Sequence, residues 1–540
     1  MPSLPWGISA FRDRLLAART AAGHWEGELS SSPLSTATAV TALTIVGGYD
    51  TLVTKGLRWL TNNQNVDGGF GDAPRCPSNI STTTLAWATL SANNAPGAAA
   101  AETWLRENIG APLTAESITR AISGTYGEDK TFAVPILTHC SLAGRFGWDH
   151  IPVLPFELAA IPHSLFKWIG LPVVSYALPA LIAIGYAQHY HYPTEHKVAH
   201  TIRQIVRTKT LRVLESIQPA SGGFLEATPL TSFVTMSLAS SGLVGHSVTQ
   251  RGARFLASSI RDDGSWPIDT NLATWLTTLS INALGVDAFT ATERTYLRSW
   301  LLDQQYKEIH PYTQSPPGGW AWTDLSGGVP DGDDTAGALL ALATLGNDAE
   351  IRVAATAGAR WLIKLQNSDG GIPTFCRGWG KLPFDQSSPD LTAHALRAWN
   401  KWRSTEPRID AAMERAVSYL VQSQQNDGSW IPLWFGNPST QDQTNPIYGT
   451  ARVLECGNLI PRNTRLRAEQ YLASVQQPNG SFGTIEETAL AVAVLGDPRG
   501  TRWLAEQTHF EASPIGLYFA KLWYSEKLYP LIFTVAALNK

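Results

Sequence analysis

The chain has 540 residues, with 41 Lys+Arg against 45 Asp+Glu for a net charge of −4; 44% of it is apolar and only 16% charged. That balance excludes a disordered chain and a nucleic-acid binder that works by neutralising phosphates. The length points to two domains or one long repeat array, and 20 Trp are more than ordinary packing uses.

At the N-terminus, Met1–Arg14 has no apolar core, so no signal peptide is expected. Cys76, Cys140, Cys376 and Cys456 are far apart and form no CxxC pair. A reduced, cytoplasmic compartment fits them better than a disulfide framework or a zinc ribbon.

One pattern recurs along the chain. A Gln is followed six residues later by a large apolar residue, with a Gly turn between. It runs from Gln64 to Phe70, Gln218 to Phe224, Gln366 to Ile372, Gln424 to Trp430 and Gln476 to Phe482. A copy without the Gln ends at Trp266, and the GHW segment ending at Trp25 is a candidate further copy. Helix-like stretches flank each copy, and the Asp/Asn-Gly pairs form turns. The spacing predicts stacked helical hairpins. Runs such as Ala336–Leu345 are apolar almost all round, which predicts burial on both sides. Concentric helical layers, an all-α α/α barrel, follow better than an open solenoid. In each repeat the Gln would bond backbone at a neighbouring helix end and the aromatic would stack on the turn, so the motif is assigned to stability.

The apolar run from Leu165 to Ala187 is interrupted by Lys167, Gly170, Pro172 and Pro179. It reads as a buried, proline-broken helix, with one-sided lipid contact as the alternative. His189, His191, His196 and His200 follow; His196 and His200 have metal-competent spacing, but a polar surface segment is the preferred reading.

Further on, Pro330–Ala336 reads PDGDDTA, with Asp331, Asp333 and Asp334 opening an apolar helix. One Asp would suffice for a helix cap. A calcium loop would need a Glu where Leu342 stands. Crowded carboxylates in an apolar wall instead hold a proton at neutral pH and form a strong general acid. Trp320 and Trp322 lie just upstream, and ring faces stabilise cations without attacking them. An acid that protonates an alkene inside an aromatic cavity describes a carbocation cyclisation. No DDxxD site, Walker loop or GxSxG elbow is present.

The Gln-to-aromatic repeats, the PGGWAW segment at 317–322 and the PDGDDTA motif resemble those of squalene–hopene cyclases and other class II terpene cyclases. The resemblance runs from near Trp25 to the C-terminus. It implies two α/α-barrel domains of the terpene cyclase β/γ type. Residues 1–29 would pack on the C-terminal barrel, 30–285 would form an inserted barrel, and 286–540 the catalytic one. It implies Asp333 as the acid, supported by Asp331 and Asp334. Trp320 and Trp322 would line the cavity, with Phe375, Trp275 and Tyr176 as further cavity aromatics, and Trp430 would face the cavity as well as staple a repeat. The family places a His shortly before a "PF" pair to orient the acid; here Lys381 precedes Pro383-Phe384. Lys381 would weaken the acid or contact a diphosphate or other substrate oxygen. Arg377 and Arg251 are the other basic residues considered for a diphosphate.

The leading expectation is a cyclase of a linear C30 polyprene such as squalene, forming a polycyclic triterpene. The alternative is conversion of geranylgeranyl diphosphate to a copalyl-type bicycle. A non-catalytic or prenyltransferase-like barrel comes third; its zinc site would have to use Cys376 and His394. No metal or cofactor is expected, with magnesium entering only alongside a diphosphate. The expected partners are a hydrophobic isoprenoid, the cytoplasmic face of a membrane by peripheral contact, and a second copy as a homodimer.

Overall fold

The computed structural model describes residues 8–110, 112–126, 130–161, 178–311, 313–374, 385–516 and 521–539. Almost all ordered elements are helices; among the described residues one antiparallel pair, Ile372–Pro373 with Ser387–Ser388, forms a sheet.

Six helices form a closed inner ring: Ala273–Leu284, Gly332–Leu345, Pro389–Lys401, Pro446–Leu454, Ile485–Leu495 and Tyr529–Leu538. Each packs on the next, and the last returns to the first. They are buried nearly all round and rich in Ala, Leu and Thr, the composition that lets helices lie close on both flanks. Outside them lie Ala291–Asp303, Ala349–Leu365, Ile409–Ser423, Arg462–Val475 and Pro498–Ala505, each against an inner helix. These are amphipathic: Ala349–Leu365 buries Ile351, Ala355, Trp361 and Leu362 and turns Glu350 and Arg352 outward. The N-terminal helix Ile8–Ala17 covers Tyr529–Leu538.

A second ring joins Pro33–Val46, Ile80–Ala92, Lys130–Leu142, Leu178–His191 and Thr228–Leu238, again with the last against the first. Asp50–Asn62, Ala98–Ile109, Ala115–Tyr126, Lys197–Ile217 and Ser247–Ser258 surround it. Helix Ala273–Leu284, placed in the first unit by the sequence boundary at 285, is a stave of the C-terminal ring.

The repeats connect these layers by a constant set of bonds. The Gln366 amide donates to Gly370 O in its own turn and to Ala412 O on the next outer helix. Gln64, Gln218 and Gln424 do the same toward Gly97, Val248 and Thr464. The residue ending each repeat then donates its backbone N–H to a threonine of an inner helix: Phe70 to Thr83, Phe224 to Thr231, Trp266 to Thr36, Ile372 to Thr392, Trp430 to Thr450, Phe482 to Thr488. Trp25 is held likewise by Thr277. Where that residue is Trp, the indole N–H donates to a helix carbonyl, as from Trp266 to Leu256 and from Trp430 to Leu420.

One further repeat is hidden by an insertion. Gln305 donates to Gly318 O and Ala354 O, the Trp320 backbone N–H donates to Thr335, and its indole donates to Leu301 O. Fifteen residues rather than six separate this Gln from its Trp. The turn requires glycine: Gly318 has φ +118°, and a Cβ there would lie 2.7 Å from Ala357 O. Each such bond contributes about 1 kcal/mol net, and orphaning a buried partner costs about 1–3 kcal/mol.

Among the described residues no helix is long and apolar enough to cross a membrane.

Candidate active site

The stapled Trp320 also sets the acid motif. The N–H of Asp331 donates to Trp320 O at 3.0 Å, and the N–H of Gly332 donates to Thr374 O. Asp331 therefore arrives extended, at φ −134° and ψ 171°, and caps helix Gly332–Leu345 by accepting the Asp334 N–H at 2.8 Å. Thr335, the last hydroxyl of the motif, is the threonine that holds Trp320. Two of the motif's side chains are thus structural, a cap and a staple.

Asp331 and Asp334 are buried, and burial pushes both carboxyls up from their ordinary range; Asp333's charge adds to both and Asp331's charge adds at Asp334, while hydrogen bonds from Asp334 hold Asp331 back. One Asp334 oxygen is enclosed without a partner. Asp333 differs: its side chain keeps 16% exposure, and its Oδ1 lies 2.5 Å from Nδ1 of His394. His394 is buried on helix Pro389–Lys401. Burial lowers its proton affinity, opposed by the neighbouring Asp333 charge. Asp390, on the same helix, is raised to about 6 by burial, after the opposing bond from Ser388, with Asp333 adding.

Aromatic rings continue from this pair. Trp275 meets the His394 ring edge-on at 5.9 Å, and its indole donates to the Tyr529 hydroxyl at 3.0 Å. Tyr529 stacks on Phe533 at 5.5 Å; Phe435 lies 6.5 Å from Tyr529 and 4.7 Å from Tyr448. Behind them Arg452 is buried and paired with Glu455 at 3.0 Å, and Glu455 also binds Arg397.

The expected site is partly reassembled. Asp331, Asp333, Asp334 and Trp275 come together. Trp322 is half-buried, and its carbonyl accepts the N–H groups of Thr274 and Trp275. Trp320 and Trp430 are corrected: both are fully enclosed with their indoles bonded to helix carbonyls, so neither ring faces open space. Tyr176, Phe375 and Lys381 lie outside the described residues, as do Cys376 and Arg377. The histidine that meets Asp333 is His394, ten residues beyond Phe384. Of the four histidines read as a surface segment, His189 is instead buried on helix Leu178–His191, and His196 caps its helix by accepting the Ala199 N–H. No group of three His, Cys, Asp or Glu side chains able to hold a metal occurs among the described residues.

Sequence reasoning missed Asp390, Tyr448 and Tyr529, and considered His394 only as a zinc ligand. A signal existed for two of them. When the staple threonines are aligned, the residue two before Thr277, Thr335, Thr392, Thr450 and Thr488 is Trp275, Asp333, Asp390, Tyr448 and Glu486. That register places these side chains at equivalent points near the starts of five inner helices.

Two closed rings of helices, one with a carboxylate triad at an inner-helix start facing aromatic rings, define a double-barrel protein built around a buried acid. Residues 271–509 match the squalene–hopene cyclase C-terminal domain and residues 8–177 the corresponding N-terminal domain. The chain belongs to the squalene–hopene cyclase family of class II terpene cyclases, a family of enzymes. It is 24% identical to a squalene–hopene cyclase of Alicyclobacillus acidocaldarius over 82% of this chain and 76% of that protein. It is 26% identical to a copalyl diphosphate synthase of Streptomyces cyslabdanicus over 88% and 84%. Its similarity to a terpene cyclase–glycosyl transferase fusion protein of Humicola fuscoatra, 24% identical, spans 92% of this chain but only 46% of the fusion protein. An ent-copalyl diphosphate synthase from Streptomyces platensis shares the fold, with a TM-score of 0.55 at 18% identity over 98% and 97% of the two chains.

Proposed function

We propose that the protein cyclises a linear polyprene by protonating its terminal alkene from Asp333. The observation that carries this reading is the 2.5 Å contact between His394 and the half-open Asp333, beside two carboxyls whose proton affinity burial raises. With His394 neutral and its Nδ1–H assigned as donor to Oδ1, the proton on Oδ2 is free to leave. The His394 hydrogen bond strengthens as negative charge develops on Asp333, which lowers the barrier. The substrate cation then forms against Trp275 and its neighbouring rings, which offer negative faces and no nucleophile. Folding the chain into a near-reactive shape supplies the remainder. No step of this sequence needs a metal.

The substrate proposed first is a C30 squalene-like chain, in keeping with the squalene–hopene cyclase relative. A prenyl diphosphate is the second reading, favoured by the greater coverage shared with the copalyl diphosphate synthase. Incubating the purified protein with squalene and with geranylgeranyl diphosphate, followed by gas chromatography–mass spectrometry, tests both. A cyclic product from one substrate identifies it, and magnesium dependence is expected only for the diphosphate. Folded protein that makes no cyclic product from either refutes the proposal. Asp333→Asn is expected to lower turnover by about 10³-fold or more, and His394→Phe by about 10²-fold.

A lipid-soluble substrate fits a peripheral membrane contact. On helix Lys197–Ile217, Val198, Ile202 and Ile205 form an exposed apolar stripe flanked by Lys197, Lys209 and Arg212, with Tyr190 and Tyr192 exposed beside it. Apolar and basic residues on one face suit an anionic lipid surface. Co-sedimentation with phosphatidylglycerol vesicles is expected for the wild type and weakened by Ile202→Glu with Ile205→Glu; equal binding by both refutes the contact.

A further inference from the structure

A fixed positive charge on the inner ring of a barrel opposes any substrate cation formed inside it, so a buried guanidinium there needs a reason. Arg452 is such a group, buried on the inner helix Pro446–Leu454. The staple threonines fix its depth. The residues two beyond Thr277, Thr335, Thr392, Thr450 and Thr488 are Leu279, Gly337, His394, Arg452 and Leu490. At these five equivalent points only His394 and Arg452 carry polar side chains, and their helices are neighbours in the ring. Helices packed side by side lie roughly 8–10 Å apart. The guanidinium therefore stands at the depth of the histidine, one stave away.

Its contacts run to the helix that carries the histidine. Arg452 Nη1 lies 3.0 Å from Glu455, and the same carboxylate takes Arg397, one turn beyond His394 on helix Pro389–Lys401. Beside His394 the Cys456 thiol donates to Ala393 O at 3.4 Å, which ties the end of the Arg452 helix to that of the histidine. The Arg452 guanidinium lies over the Tyr448 ring, 5.9 Å from its centroid, and Tyr448 is one turn nearer the helix start. Two guanidiniums thus share one carboxylate, and their trio places one positive charge in excess beside His394. The carboxyls near His394 are Asp333, at 2.5 Å, and Asp390, one turn earlier on its own helix. Burial comes first in lowering the proton affinity of His394; the charge of Asp333 opposes it, and the charges of Arg452 and Arg397 add to it.

The Asp333–His394 contact has two ways to hold its mobile proton. With the ring neutral, the proton is on Asp333 and available to an alkene. With the ring an imidazolium, Asp333 is ionised and has none to give. We propose that Arg452 is a positioning residue for this proton: its charge, together with that of Arg397, makes an imidazolium at His394 unfavourable, so the proton stays on Asp333. His394 is one stave from Arg452 and Asp333 is two. The charge therefore penalises the imidazolium more than it favours the carboxylate. The inference rests on the cyclase reading proposed above.

The test compares the full-length wild type with Arg452→Gln, Arg452→Lys and Arg397→Gln. Isotope-labelled histidine reads the charge of each ring by NMR, with the His394 signal identified by its loss in His394→Phe. Turnover is measured on the substrate that the wild type consumes. The wild type should show a neutral His394 ring at neutral pH. Arg452→Gln should raise the pH at which that ring is half protonated by about one unit and lower kcat about tenfold, with KM changed less than about twofold. Arg452→Lys keeps the charge and should keep the wild-type ring titration and at least about a third of kcat. Arg397→Gln removes the same excess charge from the half-buried end of the trio. It should lower kcat about threefold and raise the half-protonation point in the same direction, and it serves if Arg452→Gln does not fold. An unchanged ring titration in the folded charge-removing variant overturns the inference. So does an Arg452→Lys variant that behaves like Arg452→Gln, or an imidazolium at His394 in the wild type at neutral pH. A wild type that consumes no substrate refutes the cyclase reading instead, while the NMR comparison still decides where the proton rests.

Discussion

The tryptophans show how one residue type serves two roles. Trp25, Trp266, Trp320 and Trp430 are fully buried, and each donates its indole N–H to a helix carbonyl. Trp275 donates instead to a tyrosine hydroxyl and turns its ring to His394. Trp320→Ala should destabilise the protein by about 3–5 kcal/mol, read as a lowered midpoint in denaturant. Trp275→Phe should leave that midpoint within about 1.5 kcal/mol while changing the product distribution. Equal destabilisation by the two would refute the division. Neighbourhood in sequence misleads here: Trp320 is close to the acid along the chain, but its ring packs outward, against Gly358 of the outer helix Ala349–Leu365.

At the scale of the element, the repeat is a joint. Its Gln bridges two outer elements, its last residue bonds an inner threonine, and its glycine fits beneath a neighbouring carbonyl. Gln366→Leu removes two buried bonds at once, so a loss of about 2–4 kcal/mol is expected in thermal or denaturant unfolding. Thr335→Val deletes the hydroxyl that fixes Trp320 and thereby the approach of Asp331; it should cost about 1–3 kcal/mol and also slow turnover. A Val variant with reduced stability and full activity would show that the staple and the acid are independent. Five of the joints were legible because Gln, Gly and a large apolar residue keep a fixed spacing. The joint at Gln305–Trp320 was not, because the insertion after Tyr306 breaks the spacing without changing the bonds.

At the scale of the whole molecule, the N-terminal segment is tied across the chain. Glu526, fully buried, accepts the N–H groups of Glu28 and Leu528, and Leu29 bridges to it. Burial raises Glu526 to about 7, and Glu486 to about 7 as well. Their ordinary value is 4.5, so between 4.5 and about 7 the folded protein binds more protons than the unfolded chain. Stability from these groups is therefore full below 4.5 and declines as pH rises through about 7. The melting temperature should fall over that interval, and Glu526→Gln with Glu486→Gln should flatten the fall. An equally steep fall in the double variant would place its origin elsewhere.

Sequence by itself determined the helical class, the barrel layering, most joints and the carboxylate motif, because each is written in local spacing: six residues from Gln to a large apolar residue, three Asp in four positions. The partners of the acid were decided only in three dimensions. His394 lies 61 residues from Asp333, and Tyr529 lies 254 from Trp275. Closing a ring of six helices brings the starts of distant helices together, and no local pattern records which side chains then meet.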